Sequence, residues 1–274
     1  LHRNTVKHRF SNKAASYEQY AIVQKEMANR LSAMVQTAIP RDAVASILEV
    51  GCGTGGLTRL IRSQYPHADY EAIDLAAGMI AQAQASLARL GLTGSFYQAD
   101  AEEWVWTQPA ACKDLIVSGA CFQWFFRPEQ TIRGLCRLLA PNAPLYFSTF
   151  GPDTFCELHD SFAHAHASLG EKGVRHGLSF LSAEQWLSML EAAGMSSLRA
   201  TTQKVVLAYP GVSDFLHAVK AVGANASEDK SAGLGRRRLL LAMMDYYERT
   251  YGGEHGVRVT YDLLYISGVR QPRP

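Results

Sequence analysis

The chain of 274 residues predicts an α/β protein on a mostly parallel sheet, and three observations carry that reading. Ile47, Leu48, Glu49 and Val50 form a largely apolar run that passes into Gly51-Cys52-Gly53-Thr54-Gly55-Gly56, the pattern of a buried strand turning through glycines into a helix. A second strand over 70–74 follows one helix later and ends on an acid, Asp74. The alternation of short apolar runs with amphipathic segments then continues to Phe150, as expected where crossover helices join parallel strands.

The elements follow in order. Val6, Phe10, Ala14, Tyr17, Ala21, Val23, Met27, Leu31 and Val35 recur at near-helical spacing up to Pro40, which predicts an N-terminal helical extension over 1–40 ahead of a main domain at 41–274. Leu57, Leu60 and Ile61 mark a helix from Gly56 to about Ser63, and Tyr65-Pro66 turns the chain toward the second strand. A third strand at 94–98 leads into Ala99-Asp100-Ala101-Glu102, and 114–118 reads as a buried parallel strand. Pro128 opens a helix over 128–139, and 144–150 is the fifth strand. Beyond Gly151 the alternation loosens. Helices are expected over 152–169 and 182–193, the second with Ser182 and Gln185 as a capping box and Gly194 as its stop. A sixth strand at 203–208, two helices within 213–250 and a last strand at 260–267 complete seven strands, with helical insertions at about 151–195 and 210–256 forming a lid.

The glycine turn lets a ligand approach bare backbone, and the helix behind it offers unpaired N–H groups. Alone, this pattern fits either a dinucleotide or another nucleoside cofactor. Asp74, 21 residues past Gly53, suits a carboxylate that accepts both hydroxyls of a ribose, although it also fits a cap for the helix carrying Met79 and Ile80. Asp100 stands at the next strand tip, where it suits an exocyclic adenine amine. Glu49, two residues before the first glycine, favours a cofactor with an ammonium group, because it would repel a pyrophosphate.

With Glu49 to Gly55, Asp74 and Asp100 in place, residues 45–150 resemble the class I S-adenosylmethionine-dependent methyltransferases. The resemblance implies a Rossmann-like fold and a cofactor site of Glu49, Gly51, Cys52, Gly53, Gly55, Asp74, Leu75, Met79, Asp100, Ala101 and Ser118, with S-adenosylhomocysteine as product.

Composition is that of a globular enzyme, with 47% hydrophobic residues and a net charge of +2, too small to suggest nucleic acid as a partner. No apolar run approaches the roughly 18 residues of a membrane span, and the opening residues show no signal-peptide core, so a cytoplasmic protein is expected. The five cysteines are odd in number and lack C-x-x-C spacing, which favours buried thiols over disulfides or a metal site. Arg236-Arg237-Arg238 is a compact basic cluster, either a solvated face or a dock for an acidic partner.

A narrower resemblance covers nearly the whole chain. Phe10-Ser11-Asn12-Lys13-Ala14-Ala15-Ser16-Tyr17, Phe122-Gln123-Trp124, the stretch from Phe147 through Gly151-Pro152-Asp153-Thr154-Phe155 to Leu158, Val222-Gly223-Ala224-Asn225-Ala226 and Thr260-Tyr261-Asp262-Leu263-Leu264-Tyr265 are similar to the malonyl-acyl carrier protein O-methyltransferases of biotin synthesis. Cys121 departs from the small residue or leucine usual there. The resemblance implies methylation of the free carboxylate of a malonyl thioester on acyl carrier protein or coenzyme A. Tyr17 and Trp124 are then expected to position the acceptor, Phe122, Phe150 and Phe155 to line an aromatic pocket, and a basic or hydroxyl side chain, Tyr17, Arg175, His176 or Lys220, to hold the carboxylate. Arg236 to Arg238 would dock the acidic carrier. Another small-molecule methyltransferase, a non-catalytic cofactor-binding module and a nicotinamide dehydrogenase remain as alternatives at this point.

Overall fold

The computed structural model describes Phe10 and residues 21–174, 176–221 and 234–272. Its strands are β1 (Ser46–Val50), β2 (Asp69–Asp74), β3 (Ser95–Gln98), β4 (Leu115–Gly119), β5 (Pro144–Phe150), β6 (Met195–Tyr209), β7 (Gly252–Gly253) and β8 (Gly256–Arg270). The helices are α1 (Ile22–Ala38), α2 (Gly56–Gln64), α3 (Ala77–Ala88), α4 (Ala101–Trp104), α5 (Pro128–Leu138), α6 (Cys156–Ser168), α7 (Ala183–Ala192), α8 (Val212–Ala221) and α9 (Leu234–Tyr251). The sheet order is β3-β2-β1-β4-β5-β8-β6, with β7 paired to β8. The first five strands are parallel, and β8 runs antiparallel to both β5 and β6.

Side-chain alternation fixes the layers. In β1, Ile47 packs to one face while Leu48 and Val50 pack to the other. In β4, Leu115 and Val117 take the first face and Ile116 the second. Helices α1, α2, α6, α8 and α9 cover the first face, and α5 and α7 the second. On α1, Val23, Met27, Leu31 and Val35 fall at four-residue intervals and are all buried, so this helix belongs to the core rather than lying beside it. Each such buried side chain contributes about 1.5–3 kcal/mol. Of the predicted extension, Val6, Ala14 and Tyr17 lie outside the described residues, as does the segment 222–226.

Several boundaries differ from the expected ones. Among the described residues the sheet has eight strands, because the two-residue β7 pairs with the start of β8. Strand β6 begins at Met195 instead of Gln203, since residues 196–202 are mostly polar and half-buried or exposed along an edge, leaving no apolar alternation to read. The helix expected from residue 152 begins at Cys156, after Phe155 takes a left-handed backbone with φ of 62°. Within the insertion expected at about 151–195, α7 is a layer helix: Trp186 and Leu190 are buried, and the Trp186 ring meets Phe147 edge-on at 5.4 Å. Its Ser182–Gln185 capping box forms as expected.

The turn after β5 is held onto β8 by its backbone. Gly151 N–H donates to Asp262 O at 2.8 Å, and Phe155 N–H to Thr260 O at 2.8 Å. The fully buried Thr154 hydroxyl donates to Asp262 O at 3.2 Å and accepts from Asp262 N–H at 3.1 Å. Thr154→Val keeps the shape, orphans the Asp262 N–H and removes one of the two donors to Asp262 O, so urea unfolding should show a loss of about 1–3 kcal/mol.

Candidate active site

The chain leaves β1 through three left-handed glycines, Gly51 at φ 75°, Gly53 at 51° and Gly55 at 88°. Gly51 and Cys52 donate their N–H groups to Ile73 O at 2.8 and 3.1 Å, tying the turn to the end of β2. A Cβ on Gly51 would collide with the Cys121 side chain, and one on Gly55 would press on Ala83. A Cβ on Gly53 meets no protein atom within 4 Å, and Gly53 lines a cleft that encloses about 1240 Å³ with its open mouth. The bare turn therefore faces open space where the prediction places a ligand.

Four carboxylates, Glu49, Asp74, Asp100 and Glu102, border this cleft. Asp74, at the tip of β2, accepts from Gly53 N–H at 2.9 Å through one oxygen and from Ala76 N–H at 2.8 Å through the other. It thus supports both the glycine turn and the start of α3, and each oxygen keeps a lone pair. Burial raises its pKa, against the lowering effect of these backbone bonds. Asp100 caps α4, accepting from Glu102 N–H at 2.9 Å. Glu49 is 1% exposed in the middle of the sheet. Its Oε2 accepts from Thr58 Oγ1 at 2.6 Å and Tyr70 OH at 2.7 Å, while buried Oε1 has no hydrogen-bond partner. Burial pushes this carboxyl up to about 7, with the two hydroxyl bonds opposing the shift. A buried, half-satisfied carboxylate on a cleft wall is a seat for a cation or a strong donor.

A second cavity, which with its open mouth takes in about 590 Å³, adjoins the first, and Phe10, Gln24, Ala120 and Trp124 line both. Phe10 and Trp124 meet edge-to-face at 5.3 Å. Ala120 sits in a left-handed backbone with φ of 49° and its carbonyl accepts from Gln123 Nε2 at 2.6 Å. The second chamber is walled by Phe150, Phe155, Phe180, Tyr209 and Tyr261, and no charged side chain among the described residues lines it.

The expected site residues divide on these cavities. Glu49, Gly51, Cys52, Gly53, Asp74, Leu75, Met79, Asp100, Ala101 and Trp124 line the first, and Trp124, Phe150 and Phe155 the second. Gly55 instead packs on α3, and fully buried Ser118 spends its hydroxyl on Val50 O at 2.7 Å. Phe122 is core, stacked on Phe147 at 4.3 Å and near Trp186, on the opposite side of the sheet from Phe150. His176 stacks on Phe162 at 3.9 Å and meets His166 Nε2 to Nε2 at 2.9 Å, so it lines neither cavity. Lys220 is exposed on α8, whose Ala218 and Val219 face the second chamber. Tyr17 and Arg175 lie outside the described residues. Arg236, Arg237 and Arg238 are exposed on the first turns of α9.

Sequence reading missed Gln24, Lys25 and Arg59 in the first cavity and Gln123, Phe180, Tyr209 and Tyr261 in the second. Lys25 lies on the exposed side of the α1 periodicity, where sequence pattern alone does not mark it as a cleft residue. All five cysteines are free, and no group of three His, Cys, Asp or Glu among the described residues is placed to hold a metal. None of the described helices is long and apolar enough to cross a membrane.

The parallel sheet, the reversed β8 and the carboxylates at the tips of β2 and β3 define the Rossmann-like class I methyltransferase fold. Residues 23–199 match the family model described as a methyltransferase domain. A protein called YcgJ from Bacillus subtilis shares the fold with a TM-score of 0.60 at 17% identity, over 89% of this chain and 98% of that one. The malonyl-[acyl-carrier protein] O-methyltransferase of Brevibacillus brevis is 60% identical over 98% of this chain and 97% of its own. Its counterpart from Paenibacillus sp. is 40% identical over 96% and 98%. The chain belongs to the malonyl-[acyl-carrier protein] O-methyltransferase family.

The half-satisfied Glu49 sets a pH dependence. Below about 7 the carboxyl binds a proton, which an ammonium-bearing ligand must displace, so calorimetry should show affinity falling by up to about tenfold per unit of acidification. Glu49→Gln, whose oxygen still accepts from Thr58 and Tyr70, should weaken binding by about 10- to 100-fold and flatten that profile.

Proposed function

We propose that the protein transfers the methyl group of S-adenosylmethionine to the free carboxylate of a malonyl thioester carried on acyl carrier protein. The observation that carries this is the pairing of cavities: a polar cleft with carboxylates at the strand tips opens beside an uncharged aromatic chamber, and both share the Phe10–Trp124 wall. Membership of the family supports the same acceptor.

The cleft residues fit the donor. The orphan Glu49 oxygen suits its ammonium, the remaining lone pairs of Asp74 suit the ribose diol, and Asp100 suits the adenine amine. Lys25 and Arg59, which line the same cleft, supply positive charge for its carboxylate. When bound, S-adenosylmethionine supplies an electrophilic methyl on a sulfonium.

The chain has little proton chemistry to perform. A malonyl carboxylate is ionised at pH 7, so the site needs alignment and exclusion of water rather than a general base. Carboxylate and sulfonium charges cancel as the methyl moves, and an uncharged chamber favours that neutralisation over separated ions. Trp124 and Phe10, on the shared wall, would fix the approach. The exposed arginines at the start of α9 would draw in the acidic carrier protein from solution. Such an enzyme works in the cytoplasm, where both substrates are made.

Incubated with S-adenosylmethionine, malonyl-carrier protein should gain one methyl by mass spectrometry, and Trp124→Ala should slow that gain while cofactor affinity stays within a few-fold. Absence of any gain would refute the assignment. Reversing the charge of Arg236, Arg237 and Arg238 should raise the KM for malonyl-carrier protein by roughly tenfold and leave that for malonyl-coenzyme A nearly unchanged. Equal changes for both would remove the docking role.

A further inference from the structure

Two hydroxyls meet among the rings of the aromatic chamber. Tyr209, the last residue of β6, and Tyr261 on β8 both line it, and their hydroxyl oxygens lie 2.9 Å apart. The sheet register brings them together: Tyr261 pairs with Val205, and Tyr209 follows Val205 by four residues on the same face. Two hydroxyls that bond each other share one proton and retain a second. Among the described residues neither hydroxyl has another hydrogen-bond partner, so that second proton is unspent.

The rings are held in place. Phe155 meets Tyr261 edge-on at 5.1 Å, and Phe215 lies 5.6 Å from Tyr209. Burial, reinforced by the neighbouring Tyr209, keeps the Tyr261 hydroxyl protonated far above its ordinary range. A neutral donor also suits the chemistry better than a cation would. Methyl transfer abolishes the carboxylate charge, so a lysine or arginine gripping that charge would stabilise the starting state more than the transition state. A single O–H on the spectator oxygen orients the group at smaller cost to its nucleophilicity.

We propose that the Tyr209–Tyr261 pair donates its unshared proton to the acceptor carboxylate and so selects short thioesters that end in a carboxylate. This rests on the methyl-transfer reading above. It places the anchor on β6 and β8 instead of on Tyr17, Arg175, His176 or Lys220, the candidates expected from sequence.

The test compares two ligands of nearly equal shape on the full-length protein. Malonyl-carrier protein bears the carboxylate, and isovaleryl-carrier protein puts two methyl groups where the oxygens would be. Calorimetry with Tyr209→Phe, Tyr261→Phe and the double variant should show malonyl affinity falling by about 10- to 100-fold in the double variant. The single effects should not add, because the two hydroxyls share a proton. Isovaleryl and S-adenosylmethionine affinities should stay unchanged. Equal weakening of malonyl and isovaleryl binding would reduce the pair to a packing role, and unchanged malonyl binding would remove it from the site; either overturns the proposal. Should circular dichroism show the double variant unfolded, the same malonyl-to-isovaleryl ratio in the single variants decides. Because affinity is read apart from turnover, failure of the wild-type protein to methylate would end the functional reading and still leave the pair judged on its own.

Discussion

The site depends on one buried carboxylate that the sheet cannot fully satisfy. Glu49 stands in an interior strand of the sheet, where a charge is costly unless it is paired. Two hydroxyls, one from α2 and one from β2, cover a single oxygen, and the second is buried with no hydrogen-bond partner among the described residues on a residue that lines the cleft. The same contacts lock together the strand before the glycine turn, the helix after it and the neighbouring strand whose tip carries Asp74. Asp74 then reaches back to Gly53. The geometry of the turn and its appetite for a cation therefore come from one arrangement, and a ligand that satisfies Glu49 also stabilises the fold around it.

The second chamber depends on the reversal of β8. An antiparallel strand between β5 and β6 lets Phe150, Phe155 and Tyr261 converge from segments a hundred residues apart in sequence, because the turn after β5 clasps the backbone of β8. Thr154 and Asp262 make that clasp without any side chain entering the chamber's polar pair. Among the described residues the cleft is bordered by charged side chains and the second chamber by none. The chamber offers rings, aliphatic side chains, two amides and hydroxyls, a division that suits a reaction in which two opposite charges vanish.

The parallel half of the fold was legible in the sequence because buried strands are apolar throughout and end at glycines or acids. Glu49 stood out as an acid within an apolar strand two residues before the glycines, and Asp74 and Asp100 as acids at the ends of the next two strands. The antiparallel half was less so. Along β6 one side of the strand is exposed, and Ser196, Ser197, Arg199, Thr201 and Thr202 give no apolar rhythm to mark its start. Phe122 and Phe150 read alike as sequence, yet they fall on opposite faces of the sheet, one into core and one into a chamber. Tyr209 and Tyr261 escaped because their meaning lies in a register between strands 52 residues apart. No local pattern records it.

The placement of β6 also bears on how the protein is made. Among the described residues its only strand partner is β8, which leaves the ribosome later, after α8 and α9. Fifteen residues of strand therefore wait through that interval with both edges open. A greasy sequence in that position would recruit other nascent chains. The serines, threonines, arginine and lysine of β6 keep the waiting strand solvated until β8 slots in beside it. The feature that hid β6 from pattern reading is the one that lets a late-arriving strand complete the sheet safely.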